Sequence, residues 1–182
     1  MPITAVTNQT ALMRQNPNYV QYANGVCYQA IAALENFNSA LVDCEEGDRI
    51  CDVIERLFFV GPGDFGWNQV VDAIRVIVGY TRHGLRDTNL TINVGWYNFV
   101  NANLAPTVIN LAAVQMYNDY QFVRYLIHEA THLFADTIDH AERGYTDHDG
   151  NYRQAGLTAA EALVNADSVA VAVTLFVFGF LN

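Results

Sequence analysis

The amino-acid sequence predicts an α+β domain, mostly helical with a small sheet, and three observations carry that prediction. Apolar residues recur at helical spacing in five separate stretches. Two short segments rich in β-branched residues, Leu90–Val94 and Pro106–Leu111, read as strands. No repeat, low-complexity run or linker-like stretch divides the 182 residues, so residues 1–182 are expected to form a single domain. With 52% apolar and only 15% charged residues the chain can bury a continuous core.

The elements follow in order. Residues 1–16 are polar overall and are expected to be loosely held. From Tyr19, the residues Val20, Ala23, Cys27, Ile31, Leu34 and Phe37 line one face of a first long helix. A second helix covers Ile50 to Phe59 and is stopped by Gly61-Pro62-Gly63. Asn68 can cap a third, with Val71, Ile74, Ile77 and Val78 on its buried side and His83-Gly84 ending it. The two strands come next, and Asp119 can then cap a fourth helix running through Phe122, Val123, Leu126 and Ile127 to Phe134. Thr137 to Ala155 has no apolar period and reads as a long loop. Thr158 or Asn151 precedes a last helix striped by Ala159, Ala162, Leu163, Ala166, Val169, Ala170 and Val173. The apolar stretch Val169–Leu181 is too short to span a bilayer, so no membrane span is expected.

The charge of -10 disfavours nucleic acid, because a polyanion is repelled by most of such a surface, and it favours basic protein or peptide partners. All nine cations are Arg. The absence of Lys fits an Arg-biased coding composition, escape from cleavage by a Lys-directed protease, or escape from lysine-targeted modification in a host cell. Cys44 and Cys51 flank an acidic loop and can close a small disulfide in an oxidising compartment; the alternative is three reduced thiols, Cys27 included. Met1-Pro2-Ile3-Thr4 opens no secretory signal. The expectation is therefore a protein secreted or exported by another route, or from which a signal has been removed, or delivered into other cells as an effector.

His128-Glu129-Ala130-Thr131-His132 matches the H-E-x-x-H pattern on the fourth helix. Residues four apart share a helix face, so both imidazoles can reach one Zn2+ while Glu129 stands beside the open position as general base and acid. One further protein ligand is required, and Asp139, His140, Asp147, His148, Asp149 and Glu161 follow within reach. A metzincin needs His or Asp at position 138, where this chain has Ile. A gluzincin takes its third ligand from a later helix, for which Glu161 is the candidate.

Thr137-Ile138-Asp139-His140-Ala141 with Tyr145 resembles the T-x-D-x-x-Y-G element of the aspzincin metallopeptidases, the family of deuterolysins and peptidyl-lysine metalloendopeptidases. Asn165-Ala166-Asp167-Ser168 resembles that family's N-A-D-S stretch, and Thr107–Leu111 is similar to the strand before its zinc helix. The resemblance covers roughly residues 105 to 175. It implies a zincin-like fold with the sheet over the zinc helix, one zinc ion held by His128, His132 and Asp139, and Tyr145 stabilising the oxyanion. Tyr145 lies six residues after Asp139 where the family has three, and Gly144 precedes it, so an insertion bulges there or Tyr152 takes the role. For Asp167 the resemblance implies a place lining the substrate pocket, although Ala170 stands where lysine-specific members carry a second acid; the alternative is a buried acid that holds the loop. The expected activity is zinc-dependent endopeptidase, with an inactive zincin-like binding domain as the alternative.

Overall fold

The computed structural model describes residues 1–7, 18–42, 44–95, 99–101, 107–112, 118–147 and 149–179. In chain order the elements are β1 (Ile3–Thr7), α1 (Tyr19–Val42), α2 (Arg49–Phe58), α3 (Trp67–Asp87), β2 (Leu90–Gly95), β3 (Phe99–Asn101), β4 (Thr107–Ala112), α4 (Asp119–Ala135), a 3-10 turn (Ala141–Arg143), α5 (Ala159–Leu163) and α6 (Ala166–Phe178). The architecture is mixed helix and strand, as expected. The sheet runs β1-β2-β4-β3, with the first three strands parallel and β3 antiparallel to β4. Leu90, Ile92, Ile109 and Leu111 are fully buried, so the strands feed the core the β-branched and leucine residues that marked them in sequence. Among the described residues no helix is long and apolar enough to cross a membrane.

Helix α4 occupies the middle. It packs on β3 and β4 from one direction and against α1, α3 and α6 from others. From Gln121 through Thr131 every residue but Tyr125 is buried. Helix α6 is likewise buried from Ala166 to Leu175, which explains why it is apolar on all sides and carries no face. The site is thus built on the two most enclosed helices of the molecule.

Several expectations are corrected. Ile3–Thr7 is not loosely held: it pairs in parallel with β2, and the Asn24 side chain of α1 closes its other edge, accepting from Ile3 N at 3.0 Å and donating to Ile3 O at 2.8 Å. An amide placed this way imitates a neighbouring strand, so a short polar segment is ordered by a contact distant in sequence. Helix α3 starts after Gly66, not at an Asn68 cap, and continues through His83-Gly84 to Asp87. Gly84 does not stop the helix. A Cβ there would lie 2.1 to 2.4 Å from the ring of Phe134 on α4, so the glycine permits close helix approach. Gly84→Ala is accordingly expected to lower stability by about 1–3 kcal/mol, read as a reduced denaturation midpoint, despite alanine's better helix propensity.

Asn118, not Asp119, caps α4, its side chain accepting from Gln121 N at 2.8 Å. The expected last helix is two helices. Ile138 in the loop bonds both sides of the junction, donating to Val164 O at 2.8 Å and accepting from Ala166 N at 3.1 Å, and this pairing breaks the helix at Val164-Asn165. Cys27, Cys44 and Cys51 are free thiols, so the Cys44–Cys51 disulfide is not formed, and Cys51 Sγ instead lies 3.2 Å from Glu45 O. Burial pushes the Cys27 thiol up to about 12, which keeps it protonated and inert.

Candidate metal centre

The site begins with the end of α4. Asp136 adopts a left-handed conformation (φ 52°) and turns the chain back on the helix. Thr137 Oγ1 then donates to Thr131 Oγ1 at 2.8 Å, and Thr131 Oγ1 donates to His128 O at 2.8 Å. The returning segment is fixed a second time by the pairing of Ile138 with the α5–α6 junction. These anchors carry Asp139 to the two imidazoles. His128, His132 and Asp139 are the one group of three or more metal-ligating side chains found among the described residues.

The distances within the group are nearly equal. His128 Nε2 and His132 Nε2 are 3.3 Å apart, and Asp139 Oδ1 lies 3.5 Å from the first and 3.4 Å from the second. A tetrahedral zinc ion with bonds of about 2.0–2.1 Å has ligand-to-ligand edges of about 3.3–3.4 Å. The triangle therefore has the size that such an ion requires. Protonation points the same way: His132 Nδ1 lies 2.7 Å from Thr137 O, so that nitrogen carries the proton and Nε2 presents its lone pair to the group. A lone pair and a carboxylate oxygen held this close are bridged by a metal ion or by a proton on the imidazole, whose basicity burial lowers and Asp139 raises. The Asp139 carboxyl shows the same pull: burial alone would raise it, but His132 and His128 hold it below its ordinary value. The group could hold a metal ion, and its nitrogen and oxygen donors suit zinc.

Glu129 is buried, and its Oε1 stands 3.7 Å from His128 Nε2, beside the triangle. Burial raises its carboxyl above the usual range, opposed in part by His128 and His132. Such a carboxylate is a better proton acceptor than an exposed one. Tyr145 is partly buried, and burial, with the Asp139 and Asp167 carboxylates adding to it, raises its phenol above the ordinary value. Gly144 before it is required by space, since a Cβ there would meet Asn165 Oδ1 at 2.5 Å. The Tyr152 hydroxyl is already engaged, by Leu57 O and, at 2.7 Å, by Ser168 Oγ.

Glu161 is not a ligand. Its carboxylate closes a capping box with Thr158 at the start of α5 and pairs with Arg143 at 3.2 Å. Asp147 is occupied by its own loop, accepting from Asp149 N, Asn151 N and Asn151 Nδ2, and His140 lies 3.9 Å from Glu161. His148 falls outside the described residues.

Asp167 does not line an open pocket. It is 2% exposed, and its oxygens accept from Arg124 Nη2 at 3.0 Å each and from Thr146 N and Oγ1 at 2.7 and 2.9 Å. A carboxylate this enclosed, with Arg124 on Oδ1 and three donors on Oδ2, is out of reach of a substrate cation. The alternative reading, a buried acid that holds the loop, is the one the geometry gives. Arg124 was not singled out by spacing or motif; its one mark in the sequence is a cation on the apolar run of α4, one turn before His128. A scan against protein-family models finds no match to this chain, and a search of curated proteins finds none either.

Proposed function

We propose that this protein is a zinc-dependent metalloendopeptidase with a zincin-like arrangement of sheet and metal helix. His128, His132 and Asp139 would hold one zinc ion, and the near-equal edges of that triangle are the observation that carries the reading. Zinc held there would supply Lewis acidity, able to polarise a carbonyl and to make water easier to deprotonate. Glu129, buried and raised, accepts the proton of the attacking water and later returns it to the leaving amine. Tyr145 donates its phenol to the developing oxyanion. His132 is held in its productive tautomer by Thr137 O.

The substrate is a protein or peptide. The charge of -10 favours basic segments through long-range attraction, and Asp167, engaged by Arg124, adds no selection for a basic side chain. Action outside the producing cell, or as a delivered effector, belongs to the same proposal.

The test is metal analysis of the purified protein together with hydrolysis of casein and of protamine. The expected result is one zinc per chain and cleavage that stops with a chelator and returns with added zinc. Zinc retained with neither substrate cut would leave only a binding domain. Tyr145→Phe is expected to lower kcat by about 10²–10³-fold with zinc content unchanged, the size of losing one oxyanion donor; an unchanged kcat would remove Tyr145 from the mechanism.

A further inference from the structure

The chemistry above makes no use of the most deeply buried cation in the site. The Arg124 side chain is 4% exposed and that of its partner Asp167 is 3% exposed. A buried ion pair is seldom the most stable choice, because well-packed apolar residues of similar volume are commonly as good or better. Its retention between the metal helix and α6 calls for another reason, and its contacts supply one.

Arg124 Nη2 donates to both oxygens of Asp167 at 3.0 Å and to Thr146 Oγ1 at 3.1 Å, with Thr146 O at 3.4 Å and Asp147 O 3.4 Å from Nη1. Asp167 accepts in turn from Thr146 N and Oγ1. One guanidinium thereby joins three parts: α4, which carries both histidines; α6, which carries Asp167; and the loop that carries Tyr145. Asp167 Oδ1 is also 3.7 Å from His128 Nδ1, a buried nitrogen with no hydrogen-bond partner among the described residues. His132 has its outer nitrogen tied to Thr137 O, whereas for His128 the group facing that position is this carboxylate.

We propose that Arg124 and Asp167 form a positioning unit for the metal centre. Arg124 fixes the carboxylate by occupying both its oxygens, and the carboxylate, facing Nδ1, keeps the proton of His128 on the outer nitrogen so that Nε2 is turned toward His132 and Asp139. The same guanidinium, through Thr146, sets the backbone next to Tyr145. Neither residue touches the reacting atoms. The inference rests on the zinc centre proposed above and adds to it a residue that no motif marks.

The decisive variant replaces both partners, Arg124→Met with Asp167→Leu, so that no unpaired charge is left in the core. Unfolding of the metal-free protein is expected to stay cooperative, with a midpoint lowered only by the loss of the acceptor for Thr146 N and Oγ1, while zinc affinity, measured by competition with a chromogenic chelator, falls about 10–100-fold. A purely structural pair predicts wild-type zinc affinity in this variant, and that result would overturn the proposal. Should the double variant fail to fold, Asp167→Asn, nearly isosteric, is expected to show a loss in the same range, and an unchanged affinity there sinks the idea equally. Wild-type protein that binds no zinc would instead remove the centre on which the inference stands, so the two failures are distinguishable.

Discussion

Glu129→Gln is expected to keep the fold and the metal ion and to lose hydrolysis by about 10²–10⁴-fold in kcat, the range of general acid–base catalysis. The substitution is isosteric and neutral, so the buried position tolerates it, and burial already favours the uncharged form of this group. What it removes is the ability to take a proton and give it back. His128, His132 and Asp139 are untouched, so zinc content should match the wild type. Turnover of casein by zinc-replete Glu129→Gln at the wild-type rate would show that another base, or another reaction, is at work.

Arg124→Met alone is expected to cost about 3–5 kcal/mol of stability. The change strands the Asp167 carboxylate in the core with only Thr146 to satisfy it. Acid reports the same interaction. Burial alone would raise the Asp167 carboxyl, but Arg124 and His128 hold it well below the ordinary range. A group lowered by folding adds stability that is fully present above its unfolded value of about 3.9 and is lost as pH falls toward the folded one. The stability gap between wild type and Asp167→Asn should therefore stay constant from neutrality to about pH 5 and shrink below about pH 4. A gap that is flat into strong acid would mean that the carboxylate is not charged in the folded protein.

Much of the site was legible because its information is local. Two histidines four apart on a helix meet wherever that helix packs, and the Thr137–Asp139 segment follows the helix so closely that a single turn at Asp136 returns it to the pair. The helices and the two main strands were legible for the same reason, since periodicity is set by burial on one face. The errors have a common cause in contacts distant along the chain. Ile3–Thr7 is a strand because Asn24 and β2 complete it. Gly84 continues a helix because Phe134 needs the space. The helix after Thr158 breaks because Ile138 pairs at Asn165. For Asp167 the resemblance leaves a pocket lining and a buried loop-holding acid open, because nothing in its neighbourhood of sequence announces Arg124, 43 positions earlier.

Binding of one divalent ion by His128, His132 and Asp139 is decided by diffraction at the zinc absorption edge from crystals grown with zinc. A single strong anomalous peak is expected within about 2.0–2.2 Å of His128 Nε2, His132 Nε2 and an Asp139 oxygen, with Glu129 outside bonding distance. No peak there, or a peak held by Glu161 or by the cysteines, would contradict it.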